Sequence, residues 1–275
     1  MSRLSKHNPS LLYLLKSLGT HRQLIGNLVK REVIGRYRGS ALGLLWSFFN
    51  PVLMLLVYTF VFSVVFKARW PGGSESKAEF ALVLFAGLII FNLFAECINR
   101  APSLILGNAN YVKKVVFPLE VLPCVSLGSA LFHMLISLLV WLIFYVILFG
   151  VPHPTVLLFP LVVLPLAIMT LGLSWFLAAL GVYLRDVTQF IGIVTTVLMF
   201  LSPIFYSAEI LPERYRPFLH ISPLTLIIEQ GRDVLFWGKP IAWDTWTLYM
   251  IAAIAVAMLG FAWFQKTRKG FADVL

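Results

Sequence analysis

Four basic residues stand just before the first long uncharged stretch of the chain. They are Lys30, Arg31, Arg36 and Arg38, and residues Gly39 to Phe66 carry no charge. Clustered cations bind the phosphates of anionic lipid headgroups, and an uncharged run of this length is long enough to cross a bilayer. The order of the two features predicts that the chain leaves the cytoplasmic face here and enters a membrane.

The sequence offers little for catalysis, because it contains no G-x-x-x-x-G-K-[ST], H-E-x-x-H, C-x-x-C or G-x-S-x-G pattern. Two carboxylate pairs at helical spacing, Glu209 with Glu213 and Glu229 with Asp233, could do acid–base chemistry on a lipid-linked sugar. Nearby arginines favour solvated ion pairs instead. His133 is interpreted as a hydrogen-bonded packing residue. No catalytic, cofactor-binding or metal-binding residue is predicted in this chain.

A membrane-embedded helical scaffold must position any functional residues, because 60% of the side chains are hydrophobic and 12% are charged. The 64 uncharged residues between Glu120 and Arg185 must fold back on themselves, since one helix of that length would be about 96 Å long. The pattern predicts an all-α polytopic membrane protein with six transmembrane helices, at about 42–66, 80–99, 126–149, 157–183, 187–207 and 245–265.

The segments outside these spans define three regions. Residues 1–39 form a cytoplasmic N-terminus, with an amphipathic helix at about 9–30 that lies in the membrane surface or packs on another domain. The transmembrane domain covers 40–265. It includes a proline-bounded cytoplasmic segment at 101–122 and an outer segment at 209–244, with short helices near 212–219 and 224–236. Residues 266–275 form a cytoplasmic tail.

The distribution of charge predicts the orientation. Of the 22 lysines and arginines, 15 fall in the segments on the side of the termini, while the seven on the other side are balanced by seven acids. The whole net charge of +10 therefore lies on one side, which the positive-inside rule assigns to the cytoplasm. Glu96, the one acid placed inside a span, is predicted to pair with Arg100 at i+4.

Aromatic residues are frequent in the predicted spans. Their flat faces either pack against other helices and lipid or line a path, because aromatic rings stack on sugar rings without a fixed charge pattern. The candidates for a path are Trp46, Phe49, Tyr58, Phe200, Phe205 and Tyr206.

Four segments occur in a characteristic order. They are RYRGSALGLLW at 36–46 with Asn50-Pro51, YVKKVVFPLEVLP at 111–123, YLRD at 183–186 and SPIFY at 202–206. Over nearly its full length, the chain resembles the membrane subunit of ABC transporters that export polysaccharides. The resemblance is greatest to O-antigen exporters, and capsule and teichoic-acid exporters are nearer than drug exporters.

The resemblance implies a permease in the bacterial inner membrane, with both termini cytoplasmic, that exports a lipid-linked polysaccharide. It implies a homodimer bound to two copies of a cytoplasmic ABC ATPase, which would hold ATP and Mg, and no nucleic-acid partner. The residues implied to contact the ATPase are Asn110, Tyr111, Lys113, Lys114, Tyr183, Arg185 and Asp186. Lys30, Arg31, Arg36 and Arg38 would either receive the lipid pyrophosphate or only anchor the chain to anionic headgroups, and residues 212–236 would form an outer gate. The alternatives are a membrane enzyme acting on an isoprenoid-linked glycan and a passive channel.

Overall fold

The structure is a computed structural model that describes residues 11–65, 70, 76–113, 117–210, 212–215, 219 and 222–275. These residues are mostly helical, and they contain no β-strand. Lys114, the side chain of Lys113 and part of the predicted helix at 212–219 lie outside what is described.

The described residues form both long and short helices. The α-helices are α1 Leu11–Thr20, α2 Arg22–Arg36, α3 Trp46–Tyr58, α4 Lys77–Arg100, α5 Ala109–Lys113, α6 Val121–Phe149, α7 Phe159–Tyr183, α8 Val187–Leu201, α9 Thr225–Leu235, α10 Trp243–Thr267 and α11 Phe271–Val274. A 3-10 turn at Gly43–Leu45 precedes α3, and a π-helical stretch at Thr59–Val65 follows it. We call the end of the bundle where α1, α2, α5 and α11 meet the near end, and the opposite end, which holds α9, the far end.

Five helical stretches of the described residues are long and apolar enough to cross a membrane, so the protein is a multi-pass membrane protein. They are Gly43–Phe62, Ala78–Ser103, Val121–Phe149, Pro154–Tyr183 and Trp243–Val274. The predicted span at 187–207 appears as α8, whose 15 residues extend about 22 Å, less than a hydrocarbon core of about 30 Å. The helix ends at Leu201 because Ser202, which precedes Pro203, is extended with φ −79° and ψ 148°. A sixth crossing at this position stays a prediction.

The predicted N-terminal amphipathic helix is two helices, divided at His21, and the second continues to Arg36. The apolar face of α2 does not lie free, because Leu28 packs with Val121 and Val125 at the start of α6. A Cβ on Gly128 of α6 would collide with the side chain of Val29, so the two helices are in close contact. This packing fixes the direction in which the basic end of α2 points.

Helix α4 lies at the centre of the bundle, where α6, α7, α8 and α9 pack against it. Of the 18 residues that form its most apolar part, 83% are buried. On the other side of α7, helix α10 approaches very closely: a Cβ on Gly172 would overlap the main chain of Ala257, and one on Gly260 would overlap Gly172. Small residues allow helix backbones to approach in this way in membranes. α7 and α10 therefore behave as one rigid pair that reaches the near end.

Candidate functional site

A buried carboxylate joins four parts of the chain at the near end. Glu120, at 3% side-chain exposure, accepts hydrogen bonds from Arg268 Nη1 at 2.8 Å and from Ser17 Oγ at 3.3 Å. Its main-chain oxygen accepts the indole N–H of Trp175 at 2.9 Å. We call Ser17, Glu120, Trp175 and Arg268 the near-end joint. It links α1, the start of α6, α7 and the end of α10.

The predicted tail at 266–275 is helical, and it packs into this end of the bundle. Phe271 is fully buried and lies edge-on to Phe264, with ring centroids 5.6 Å apart. Tyr183 donates its hydroxyl to the main-chain oxygen of Thr267 at 2.9 Å. Phe271 shares one apolar cluster with Leu104 and Ile105, so the tail supports the predicted cytoplasmic segment.

The closest approach between that segment and a long helix occurs at Gly181 of α7. A Cβ at this position would overlap the main-chain carbonyl of Pro102, which lies in a 3-10 turn at Ala101–Ser103. Backbone in direct contact with backbone cannot be relieved by a side-chain rotation. A displacement of residues 101–103 would therefore move α7 directly.

The predicted ATPase-contact residues of the described chain divide into two groups. Asn110, Arg185 and Asp186 are exposed, as a contact with a soluble partner requires. Tyr183 is also exposed, but its hydroxyl bonds within the chain. Tyr111 is half-buried; it accepts a hydrogen bond from Arg31 Nη2 at 2.9 Å and stacks on Phe117 with ring centroids 4.4 Å apart. These two tyrosines hold the segments in place, while the other three residues remain available for a partner.

An ion-pair cluster lies where α2 meets α4 and α6. Arg36 Nη2 donates to Glu96 Oε1 at 2.5 Å, and His133 Nδ1 lies within hydrogen-bond distance of both Glu96 Oε2, at 3.2 Å, and Arg36 Nη1, at 3.1 Å. Arg100 pairs mainly with Glu32, at 2.5 Å, and is 3.9 Å from Glu96. The predicted Glu96–Arg100 pair is therefore secondary to a pair with Arg36 that crosses between helices. The interpretation of His133 as a hydrogen-bonded residue is confirmed.

This cluster forms the polar end of a cavity of about 600 Å³ between α3, α4 and α6. Asn50, Asn92 and Ser137 continue the polar lining, and Met54, Tyr58, Phe85 and Leu88 form its apolar end. The cavity is amphipathic, with its charges toward the near end.

The four basic residues predicted to receive a lipid pyrophosphate do not act alike. All four residues are exposed, but Arg31 donates to Tyr111 and Arg36 pairs with Glu96, whereas Lys30 and Arg38 have no side-chain partner among the described residues. An arginine that already neutralises a carboxylate adds little net attraction for an anion. The geometry favours Lys30 and Arg38 for anionic headgroups and gives Arg36 a structural role.

We expect Arg36→Gln to loosen α2 from α4 and α6, with a loss of about 1 kcal/mol of stability because the pair is partly exposed. Arg38→Gln, two residues away and exposed, is the matched control and should leave stability unchanged. The measurement is the thermal unfolding of both variants in the same detergent. Equal melting temperatures for the two variants would contradict a structural role for Arg36.

The predicted path residues lie in three places. Tyr58 and Phe200 both contact Phe205, on which Phe62 stacks with ring centroids 5.1 Å apart. Trp46 and Phe49 lie on the exposed face at the opposite end of α3. Tyr206 donates to the main-chain oxygen of Phe200 at 3.1 Å and so satisfies the end of α8. A single aromatic cluster therefore brings together half of the predicted set.

Arg232 of α9 is buried at the far end, and composition alone did not identify it. Its guanidinium donates to the main-chain oxygens of Val83 at 3.0 Å, Ile204 at 2.7 Å and Pro203, and it lies over the ring of Trp70 at 4.4 Å. Burial lowers the pKa of Arg232 to about 9, which still leaves it charged at neutral pH. Arg232 ties α9 to α4 and to the turn after α8.

The sequence contains weak indications of Arg232, Glu120 and Arg268, which composition and motifs did not identify as functional residues. Arg232 follows Ile228 by four residues and precedes Leu235 by three, which places it on the apolar face of the predicted helix. Glu120 is the one charge in the stretch FPLEVLP, and Arg268 belongs to a basic run typical of membrane boundaries. Periodicity could have marked Arg232 as buried, but the partners of Glu120 and Arg268 are set by tertiary contacts.

Comparison with known proteins gives consistent results. Residues 23–236 match the profile of the family described as ABC-2 type transporter. The chain is 31% identical to the O-antigen export system permease protein RfbA of Myxococcus xanthus, over 96% of this chain and 99% of that protein. It is 26% identical to the RfbA permease of Klebsiella pneumoniae, over 94% and 97%. It is 23% identical to the capsule polysaccharide export inner-membrane protein CtrC of Neisseria meningitidis serogroup B, over 93% and 95%.

Proposed function

The chain belongs to the ABC-2 type transporter family, and we propose that it is the permease subunit of an ATP-driven exporter of a lipid-linked, O-antigen-like polysaccharide. The observation that carries this proposal is the similarity to O-antigen export permeases over nearly the whole length of both chains. The similarity to a capsule exporter is lower, and it supports the broader class of polysaccharide export.

In this proposal the near end faces the cytoplasm and the far end faces outward across the bacterial inner membrane. The segregation of the net positive charge to the near-end segments supports this orientation. α8 would complete a set of six crossings, with the turn at 202–207 extending its reach toward the far end. Both termini would then be cytoplasmic.

A separate ATPase subunit would bind the near end and supply the energy, with ATP and Mg held on that partner. Its contact surface would be α5 and the exposed Arg185–Asp186 turn. Movement of α5 would reach α7 through the Pro102–Gly181 contact, and it would reach the end of α10 through α11, which packs on α5. Packed elements of this kind transmit a partner's closure as rigid-body displacement.

The polymer would leave through a channel between two copies of the chain. Support comes from the outer faces of α3, of the π-helical stretch that follows it and of α8, which leave Leu56, Phe60, Phe190 and Phe200 exposed in one copy. The aromatic cluster of Tyr58, Phe62, Phe200 and Phe205 would contact sugar rings on the way. Lys30 and Arg38 would meet the anionic lipid carrier at the cytoplasmic surface.

Affinity purification and gene removal test the proposal together. The tagged chain, extracted in mild detergent from its native cells, should bring down an ABC ATPase in equal amount. Removal of that ATPase should stop the surface display of the polysaccharide. Purification without an ATPase, or display that continues without it, would overturn the proposal. The second outcome would favour a passive channel.

A further inference from the structure

A second cavity lies at the far end, between α9, residues 207–209 and Trp70. Its volume is about 460 Å³, within the range of about 300–1,000 Å³ typical of small-molecule sites. We call it the far-end pocket. The residues that give it its chemistry are Trp70, Glu209, Glu229, Asp233, Trp237 and Lys239.

Two tryptophans of the pocket are held in place by the fold. Trp70 lies against the Arg232 guanidinium and 5.9 Å from the ring of Phe80. Trp237 lies edge-on to Phe236 at 4.9 Å, and its main-chain N–H donates to the main-chain oxygen of Arg232 at 3.2 Å. Both side chains are half-buried, so each indole presents part of its surface to the cavity. Rings fixed in this way lose little entropy when a ligand stacks on them.

The polar lining is rich in hydrogen-bond acceptors. Glu209, Glu229 and Asp233 supply carboxylate oxygens, and Asp233 is bonded to Lys239 Nζ at 3.0 Å. Ionised carboxylates only accept hydrogen bonds, so they suit a ligand that carries many hydroxyl groups. The pocket thus combines apolar flat surfaces with planar acceptors.

Other ligand classes fit less well. The described lining places three carboxylates beside the side chains of Arg232 and Lys239, so a ligand rich in hydroxyl groups finds more hydrogen-bond acceptors here than an anionic ligand finds donors. Within the described residues, no group of three or more His, Cys, Asp or Glu side chains is placed to hold a metal ion. A sugar has apolar C–H faces for the indoles and hydroxyl groups for the carboxylates.

The far-end pocket is connected to the aromatic cluster by ring contacts. Trp70 contacts Phe80, Phe80 contacts Phe62 at 6.3 Å, and Phe62 stacks on Phe205. We propose that the far-end pocket binds a short stretch of sugar units as the glycan leaves the aromatic cluster. The identity of the glycan rests on the proposed function, whereas the capacity of the pocket to bind sugar does not.

The test uses the purified full-length chain in nanodiscs, without an ATPase, and saturation-transfer NMR. The probe is the repeat-unit oligosaccharide released by mild acid from the surface polysaccharide of the native cells. We expect saturable binding that Trp237→Ala weakens by about tenfold, because one stacking surface is lost. Glu209→Gln, at an exposed position that carries little risk to folding, should also weaken it.

Trp243→Ala is the matched control, because this tryptophan is exposed at the start of α10 and does not line the pocket. It should bind the probe as the wild type does. Absence of saturable binding, or wild-type binding by both Trp237→Ala and Glu209→Gln, would overturn the pocket as a sugar site. Sugar binding by a chain that brings down no ATPase would support the pocket and contradict the exporter. An ATP-driven exporter whose two pocket variants bind normally would contradict the pocket alone.

Discussion

Gly181→Ala is expected to reduce export at least about tenfold while the protein still inserts into the membrane. Alanine is favoured over glycine inside a helix by about 1 kcal/mol, so a simple propensity argument predicts a small gain in stability. At Gly181, however, the added methyl group overlaps the carbonyl of Pro102, and relief requires that the backbone moves. Overpacking of this kind costs about 1–3 kcal/mol. The turn at Ala101–Ser103 would shift, and the position of α5 relative to α7 would change.

Gly192→Ala in α8 is the matched control, because nothing lies within 4 Å of a Cβ built there. Polysaccharide display on cells and ATPase activity of the purified complex should be measured for both variants. The control should behave as wild type, whereas Gly181→Ala should keep basal ATPase activity and lose export. Equal export by the two variants would show that the Pro102 contact does not transmit movement.

Arg268→Glu should have the second large effect, through the near-end joint. The substitution places two carboxylates together at a site where Glu120 is almost fully buried. Breaking a buried pair costs about 3–5 kcal/mol, because a charge is left without compensation. The tail would detach from α6, Phe271 would leave its cluster, and the support of α5 would be lost. Export should fall to background, and the melting temperature should drop with it.

The exchanged pair Glu120→Arg with Arg268→Glu separates charge pairing from other effects. It restores opposite charges across the joint and should recover part of the export and of the melting temperature. Lys269→Glu, an adjacent exposed position with the same change of charge, is the control and should have little effect. An exchanged pair no better than the single variant would contradict the role given to the pairing.

Much of the architecture follows from where charges are absent. The positions of α4, α6, α7 and α10 could be predicted because their uncharged runs match the thickness of a bilayer and end at polar turns. The length of α8 could not, because hydropathy continues through Pro203 while the backbone becomes extended at Ser202. Hydropathy records where a segment can lie, and it does not record where its helical hydrogen bonds end.

The candidate sites were predictable to a smaller extent. The exposure of Arg185 and Asp186 could be predicted, because they form a polar turn between two spans. The sequence did not separate Arg36 from Arg38, since the partner of Arg36 is Glu96, 60 positions away. Arg232 and Val83 are 149 positions apart, and Arg268 and Glu120 are 148 apart. Whether a charged side chain is paired or buried depends on such distant partners.

The most direct test is translocation in proteoliposomes that contain this chain and the ATPase that copurifies with it. ATP added to the outside reaches only those complexes whose ATPase faces outward. Lipid-linked glycan supplied on the outside should then accumulate in the lumen of the proteoliposomes. The account predicts that accumulation requires both subunits and stops when the ATPase is made unable to hydrolyse ATP. Accumulation that proceeds without ATP, or with this chain alone, would contradict it.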